Sequence, residues 1–428
     1  MAEDGQTAAV GRGRIIAAGM IGNVIEWYDF ALYGYMAVII SDLFFPHGDK
    51  LVSLIATYGV FAAGFLMRPL GAIFFGHLGD TIGRKPVMIL SVGMMVVPTI
   101  LIGILPSYAD WGILASILLV AIRLVQGFSV GGEFSGSVTY LVETAPDDGR
   151  GLAGSWANVG SAIGMLLGAG TPATVIWILA EPATVEWGWR LPFLLGGLIG
   201  VVGLLLRQGL PEPDGGPAEE AQEAGDHPIK RVFREEPDVV WRAILFTCSY
   251  GIVYYIPLVY LPTWLSLYAG FRLHEALFIV TVVMGFQAVL VPLAGHFTDR
   301  VMRRTHFLAL AFVAMALLGL PLFLLSQAGT PLVVVALLVL FGALIACPLG
   351  AAPAALAEAF DRGHRLTGYS LSFNLGLGVA GGTAPMVATA LIAVTGSTLA
   401  PAYYLSAAAV VGAIGLVSLR DQSREPLR

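Results

Sequence analysis

Five ionisable residues lie inside apolar stretches of this sequence, where charge is rare: Glu26, Asp29, Arg68, Arg123 and Glu133. A charge at the centre of a bilayer costs at least about 2.5–3.5 kcal/mol, so it normally faces a partner or a water-filled path. An acid beside a buried base can exchange a proton when the base changes its partner. The five residues therefore predict a proton-coupling site, and a static ion network between helices is the alternative.

Spacing brings these charges towards one another. Glu26 and Asp29 are three residues apart, so they share one face of a helix with Tyr33. At a rise of about 1.5 Å per residue, Asp29 and Arg123 both fall near the middle of their apolar segments. Gln126 lies on the same helical stripe as Arg123. The residues expected to couple protons are Asp29, Glu26, Arg123 and Glu133.

The composition places the chain in a membrane. Of its 428 residues, 57% are hydrophobic and only 12% are charged, whereas a soluble protein would carry roughly 25% charge. Apolar runs of about 20 residues, each long enough to cross a bilayer, recur along the chain without the alternation typical of a β-barrel. Its two cysteines, Cys248 and Cys347, lie in apolar runs and give no disulfide framework and no metal site. The fold class is therefore an all-α polytopic membrane protein.

Twelve apolar segments are separated after the sixth by Leu210–Pro237, a stretch rich in proline, glycine and acids. This stretch predicts a linker with a short amphipathic helix near Ile229–Arg234. The fold is therefore expected to be twelve transmembrane helices in two six-helix, pseudo-symmetric halves. The expected division is 1–14, an N-terminal tail; 15–209, the first half; 210–238, the linker; 239–420, the second half; and 421–428, a short tail.

Lysine and arginine set the orientation. If the chain crosses the membrane twelve times, nearly all lysine and arginine residues of the loops and tails fall on the side that holds both termini. The opposite side holds only Lys50, Arg190 and Arg272. Because cytoplasmic loops carry the excess of Lys and Arg, both termini and the linker are predicted to be cytoplasmic. The expected location is the plasma membrane, which is the inner membrane in a bacterium.

A short charged turn recurs at matching points of the two halves. Gly76–Lys85 follows the second segment, and Gly295–Arg304 follows the eighth, about half a chain later. Duplication of this kind is a mark of transporters. We interpret both turns as cytoplasmic gates, with a role in topology alone as the alternative. The gate residues are Gly76, Asp80, Gly83, Arg84, Lys85, Asp299, Arg303 and Arg304.

Aromatic and polar side chains of the second half are candidates for substrate contact. Tyr254 and Tyr255 lie on the seventh segment, and Gln287 and Asn374 lie deep in the eighth and eleventh. Aromatic faces can hold a cationic head group or stack on a ring. The predicted substrate-binding residues are Arg123, Arg68, Tyr33, Gln126, Tyr254, Tyr255, Gln287 and Asn374.

Several motifs resemble the major facilitator superfamily and, within it, the metabolite:H+ symporter branch. The superfamily motifs are Gly76-xxx-Asp80-xx-Gly83-Arg84-Lys85 and Arg123-xx-Gln126-Gly127. The branch motifs are Gly22–Phe30, Phe65–Gly71, Gln126–Glu133 and Trp187–Phe193. The resemblance implies alternating access and proton symport of proline or betaine, or of carboxylates such as α-ketoglutarate, citrate and shikimate.

The finer features favour the proline/betaine type over the other members. Tyr254-Tyr255 and Ala400–Leu405 are most similar to that type. Separately, Thr171-Pro172 stands where many proton antiporters carry a Gly-Pro motif, which argues against an antiporter. Met302 replaces the signature glycine of the second turn, which implies a looser gate. Osmosensing members carry a long cytoplasmic coiled-coil tail. Here only about Asp421–Arg428 follow the last apolar segment, so we expect that device to be absent.

The sequence therefore predicts a proton-coupled importer of a small carboxylate-bearing metabolite. Its expected partners are the substrate and the lipid bilayer, not nucleic acid, and we expect it to function as a monomer. No cofactor other than the coupling proton, no metal and no catalytic residue is expected. A proton-coupled exporter and a non-transporting membrane sensor with the same fold are the alternatives, and a membrane-embedded enzyme is a remote third.

Overall fold

The structure is a computed structural model that describes residues 22–46, 48–82, 84–130, 133–208, 228–328, 330–361 and 363–427. Within these ranges it gives no side-chain description for 76–77, 79–82, 84–88, 133, 180–181, 206–208, 228–229 and 328. The described residues are almost entirely helical and include no strand.

Twelve long helices, α1 to α12, make up the described part of the fold. Those of the first half are α1 (22–35 and Ala37–Phe44), α2 (Lys50–Ile82), α3 (Arg84–Ile104), α4 (Ile113–Ser129 and Glu133–Glu143), α5 (Arg150–Ala183) and α6 (Arg190–Gln208). Those of the second half are α7 (Pro237–Tyr268), α8 (Leu273–Arg300), α9 (Arg304–Ala328), α10 (Pro331–Ala359), α11 (Arg365–Thr395) and α12 (Ala400–Ser418). A short helix at Pro228–Glu235 precedes α7, where the sequence predicted one.

The helices have the length and surface of membrane spans. Ten of the described helices are long and apolar enough to cross a bilayer, and Ile89–Ile104 forms a shorter apolar stretch in α3. Large apolar side chains face outwards, among them Leu317 at 72% exposure and Val417 at 81%. In water such surfaces would be costly, whereas hydrocarbon covers them at no cost. The predicted twelve-helix membrane fold is confirmed.

Helices α7 and α11 are irregular near their middles. In α7 a wide π-helical turn at Ile256–Tyr260 contains Pro257, and α11 contains a longer one at Asn374–Gly381. Proline removes a backbone donor, and glycine lets backbones approach, so both promote such distortions. The two helices touch through glycine, because a Cβ on Gly251 would lie 2.8 Å from the Cα atom of Gly381. Both helices lie along the boundary between the halves, which we call the seam.

Several pairs of helices bridge the seam. Helix α5 packs on α8 and α10, and helix α2 packs on α11. The α5–α8 contact is tight, since a Cβ on Gly151 would lie 2.6 Å from the carbonyl oxygen of Gly295. Helix packing in membranes depends on small residues in this way. The seam thus brings backbone against backbone where the halves meet.

The packing of α4 on α2 gives a stability test. A Cβ on Gly127 would lie 1.8 Å from the carbonyl oxygen of Gly64, whereas one on Gly136 of the same helix meets nothing within 4 Å. We expect Gly127→Ala to lower the free energy of unfolding by about 1–3 kcal/mol through overpacking. Gly136→Ala should be neutral or slightly stabilising, since alanine favours helix. Thermal unfolding of the purified proteins, followed by tryptophan fluorescence, compares them, and equal melting temperatures would contradict the packing.

Candidate functional site

Asp29 is the centre of a buried polar cluster that joins α1, α3 and α4. Its Oδ2 accepts a hydrogen bond from Nη1 of Arg123 at 3.1 Å. Its Oδ1 accepts from Nε2 of Gln126 at 2.9 Å and from Oγ1 of Thr99 at 2.5 Å. Arg123 also donates to Oε1 of Gln126 at 2.9 Å. The carboxylate therefore has an ionic partner and two neutral donors, as a buried charge requires.

A second ion pair lies beside the first. Nη2 of Arg68 on α2 is 2.9 Å from Oε1 of Glu26 on α1, and both side chains are almost fully buried. Glu26 also lines a small cavity within the first half, together with Ser91 and Ser129. The hydroxyl groups give this cavity a polar wall next to the acid. Glu133, the fifth predicted charge, has its side chain outside the described part of the structure.

Aromatic rings cover both guanidinium groups. The Cζ atom of Arg123 lies 4.4 Å from the ring centroid of Tyr33 and 5.0 Å from that of Phe30. The Cζ atom of Arg68 lies 4.5 Å from Phe30 and 4.5 Å from Phe65. Such contacts are favourable for a desolvated cation, by about 2 kcal/mol or more. Phe30 thus touches both cations, and the two ion pairs form one buried assembly.

The predicted tyrosines of α7 lie at the seam, against the first half. The ring centroid of Tyr254 is 6.0 Å from that of Trp27, and that of Tyr255 is 5.5 Å from that of Phe65. Phe65 also contacts Arg68. The tyrosines are therefore close to the buried charges, and their part in substrate binding stays a prediction.

Gln287 and Asn374 form hydrogen bonds within the second half. Nε2 of Gln287 donates to the carbonyl oxygen of Gly342 at 2.9 Å, which ties α8 to α10 within the second half. Nδ2 of Asn374 donates to the carbonyl oxygen of Ser370 at 2.9 Å within α11. The part of both amides in substrate binding stays a prediction.

Asp299, a residue of the predicted gate, joins the two halves at the end of the seam that is predicted to be cytoplasmic. The carboxylate of Asp299 accepts hydrogen bonds from the backbone N–H groups of Gly151 at 2.8 Å and Leu152 at 2.9 Å. Both N–H groups belong to the first turn of α5, and the N-terminus of a helix favours an anion. Arg304 holds the same carboxylate at 2.6 Å. Arg303 is exposed, and the structure assigns it no ion pair among the described residues.

Two further ion pairs, Arg150–Glu358 and Arg365–Glu143, join the halves. Glu358 on α10 lies 3.0 Å from Arg304 and 3.1 Å from Arg150 of the first half. Arg365 on α11 lies 2.8 Å from Glu143 on α4. The sequence analysis did not predict these contacts. The residues lie at the ends of apolar segments, where charged residues are expected in any membrane protein because they fix its orientation. An acid at the end of a long apolar segment, as at Glu358, was the available signal.

The segment after α12 also reaches across the seam. Nη2 of Arg150 donates to the carbonyl oxygen of Glu425 at 2.7 Å, and Nη1 of Arg424 donates to that of Asp299 at 2.8 Å. Asp421 anchors this segment by accepting from the backbone N–H and the hydroxyl of Thr305. Burial raises the pKa of Asp421, but the hydrogen bonds from Ser423 and Thr305 outweigh it and leave the pKa below its usual value.

The predicted gate of the first half lies outside the described side chains. This applies to Gly76, Asp80, Gly83, Arg84 and Lys85, whose gate role stays a prediction. Sequence analysis also missed Thr99, a hydroxyl with no charge to mark it, although it donates to Asp29. Only the fold brings its helix beside α1.

Known proteins resemble this chain along nearly its whole length. Residues 15–213 match the family Sugar (and other) transporter, and residues 267–428 match Major Facilitator Superfamily. The chain is 35% identical to the proline/betaine transporter of Escherichia coli (strain K12), over 97% of this chain and 85% of the relative. It is 33% identical to the glycine betaine/proline/ectoine/pipecolic acid transporter OusA of Dickeya dadantii (strain 3937), over 97% and 84%.

Solved structures share the fold. The crystal structure of a D-xylose-proton symporter matches with a TM-score of 0.76 at 17% identity, over 97% of this chain and 99% of the other. The human organic anion transporter MFSD10 matches with a TM-score of 0.64 at 18% identity, over 94% and 99%. This protein is therefore a multi-pass membrane transporter rather than an enzyme, and its chain belongs to the major facilitator superfamily.

Proposed function

We propose that this protein imports a small, carboxylate-bearing solute of the proline/betaine type together with a proton, by alternating access. The observation that carries the proposal is the pair of buried acid–base contacts, Asp29–Arg123 and Glu26–Arg68. Charges at such positions serve proton and solute pathways by default. The names of the relatives point to the solute class. The alternative solute for the same proton-coupled mechanism is an organic acid such as α-ketoglutarate.

Protonation of a buried acid would change the contacts of three helices at once. If Asp29 takes a proton, Arg123 loses its counter-charge, and the hydrogen bonds from Thr99 and Gln126 to the carboxylate weaken. Removing one partner of a buried ion pair typically costs about 3–5 kcal/mol. A cost of that size is enough to shift an equilibrium between two arrangements of the helices. Proton binding would thus bias the orientation of the first half.

Alternating access needs contacts at both ends of the seam that open in turn. At the predicted cytoplasmic end, Asp299 and Glu358 bridge the halves. At the opposite end, the hydroxyls of Tyr58 on α2 and Thr263 on α7 lie 2.9 Å apart. When one half rocks against the other, the contacts at one end of the seam would break while those at the opposite end remain. With both termini cytoplasmic and a single chain as the working unit, the solute would enter across the inner membrane.

The membrane potential would drive accumulation. One inward positive charge is worth about 2.3 kcal/mol per 100 mV, which corresponds to a concentration ratio of about 50. The test is uptake by proteoliposomes with an imposed pH gradient, with labelled proline, glycine betaine, α-ketoglutarate, citrate and shikimate as the panel. We expect proline or glycine betaine to accumulate and a protonophore to abolish this. Accumulation with neither a membrane potential nor a pH gradient, or accumulation of organic acids alone, would overturn the proposal.

Replacing Asp29 should uncouple transport from the proton. We expect Asp29→Asn to reduce accumulation at 100 mV from about 50-fold to about one, because the amide cannot take up a proton, while exchange of labelled for unlabelled solute continues. The matched control is Asp42→Asn on the same helix, since Asp42 forms an exposed pair with Lys50. Full accumulation by Asp29→Asn would remove Asp29 from the coupling site.

The cytoplasmic gate can be tested by comparing two aspartates that bridge the seam. Asp299 is buried against α5, whereas Asp148 forms an exposed pair with Arg300 at 3.0 Å. We expect Asp299→Asn to lower the maximum rate by about tenfold or more with little change in solute Kd, because a buried charged hydrogen bond is worth about 1.5–3 kcal/mol. Asp148→Asn should change the rate less than twofold, since exposed pairs contribute little. Rates and binding are measured separately; a change in Kd alone for Asp299→Asn contradicts the gate.

A further inference from the structure

His364 is held between two acidic side chains just before α11 begins. Its Nδ1 atom lies 2.8 Å from Oε1 of Glu236, and its Nε2 atom lies 3.1 Å from Oε2 of Glu235. The ring is buried, whereas both acids are partly exposed. Glu235 ends the short helix Pro228–Glu235, and Glu236 is the next residue. The histidine therefore joins this helix to the loop between α10 and α11.

The two contacts of His364 require a charged ring. A neutral imidazole has one N–H donor and one lone pair, so it can donate to only one of two carboxylates. Its other nitrogen would direct a lone pair at a carboxylate oxygen, which is repulsive. An imidazolium has a donor on each nitrogen and carries the charge that attracts both acids. The geometry is therefore that of the protonated side chain.

Other charged groups surround this contact. Glu235 also pairs with two arginines of its own helix, at 3.4 Å and 3.6 Å. The charged residues of the short helix, of the described part of the loop and of the adjoining helix ends are Arg231, Arg234, Asp361, Arg365 and Asp238. Arginine and carboxylate side chains ordinarily titrate outside pH 5–8, whereas histidine titrates within it. The proton that controls this contact is therefore the one on His364.

The position of His364 ties this contact to the seam. The next residue, Arg365, lies 2.8 Å from Glu143 of the first half and donates to the carbonyl oxygen of Ala357 at 3.0 Å. The carbonyl oxygen of His364 accepts from the N–H group of Gly368 at 2.7 Å, so His364 belongs to the start of α11. A displacement of His364 therefore reaches a contact between the halves through one peptide bond.

The short helix needs tertiary contacts to persist. A helix of eight residues is not stable by itself in water. Its Val232 is fully buried, and the ring centroid of Phe233 lies 5.9 Å from that of Trp241 at the start of α7. The contacts of His364 with the two acids add a charged attachment at the end of the helix. Loss of that charge would weaken the docking of the helix.

We propose that His364 is a pH-sensitive clasp, whose protonated ring holds the short helix on the α10–α11 loop and steadies the Arg365–Glu143 contact. The docked state binds one proton more than the released state, so docking weakens as the pH on that side rises. The clasp itself does not depend on the proposed function, whereas its effect on transport rests on it. A proton importer with this clasp would slow down as the cytoplasm becomes acidic, and so would limit further acidification.

Hydrogen exchange of the purified full-length protein measures the clasp. The quantity followed is the protection factor of the amides from Val232 to Glu236, between pH 6 and 8.5, which already corrects for the intrinsic effect of pH on exchange. In the unchanged protein we expect this factor to fall as pH rises, by up to about tenfold per pH unit, because one proton is released. A protection factor that stays constant over this range would overturn the proposal.

Two substitutions separate the charge of His364 from its shape. His364→Gln cannot become charged, so the short helix should be weakly protected at every pH. His364→Arg has a permanent charge and a planar set of donors, so the helix should stay protected up to pH 8.5. The matched control is His306→Gln, since His306 is an exposed histidine of α9, and this variant should keep the pH dependence. The same pH dependence in both His364 variants would contradict the clasp.

Exchange of labelled for unlabelled proline across proteoliposomes tests the effect on transport, since exchange needs no driving gradient. With uniformly oriented protein, only the pH on the predicted cytoplasmic side is varied. His364→Gln should exchange faster than the unchanged protein at pH 6, and His364→Arg should exchange more slowly at pH 8, each by about threefold or more. Equal rates for the three proteins would refute the regulatory role. If the unchanged protein exchanges no proline but shows pH-dependent protection, the proposed function fails and the clasp stands.

Discussion

The pairing of charge inside the membrane governs the architecture of the first half. A guanidinium group in hydrocarbon needs a counter-charge, and each buried arginine here has one: Arg123 with Asp29 and Arg68 with Glu26. Both acids stand on α1, and the bases stand on α4 and α2. Helix α1 is consequently fixed between its neighbours by ionic contacts that a single proton can weaken. The packing of these helices therefore depends on the protonation state of the acids, because the side chains that hold the helices together are also the ones that can take up a proton.

The seam follows a different rule, since its contacts must open. Its polar contacts at the predicted cytoplasmic end are carboxylates held by backbone N–H groups and by arginines, as at Asp299 and Glu358. Hydrogen bonds of this kind exchange readily for water when the end is exposed, so their net contribution is small compared with their number. Glycines 151 and 295 allow the close approach that makes these contacts short. Opening this end therefore exposes polar groups that water can satisfy.

The sequence predicts the fold well and the site in part, for physical reasons. Glu26, Asp29, Arg68 and Arg123 are conspicuous because charge is rare in apolar segments. Their pairing is not readable, since the partners are 42 and 94 residues apart and belong to separate helices. Trp27 and Phe373 gave no signal as seam residues, because aromatic residues are common in any membrane span. Arg150 and Glu358 were hidden for the opposite reason, as charges at helix ends are expected everywhere.

The two halves share a fold but divide the chemistry between them. Acids and bases near mid-membrane are concentrated in the first half, whereas the second half contributes the tyrosines of α7 and Phe373 to the seam. A link between proton and solute therefore has to pass through an element of the first half that carries buried charge and also touches the second half. Helix α1 meets both conditions, with Glu26 among the charges and Trp27 against Tyr254. Because these two residues are consecutive, the coupling needs no extended network. A displacement of α1 that changes the ion pair of Glu26 also changes the contact of Trp27 with the second half.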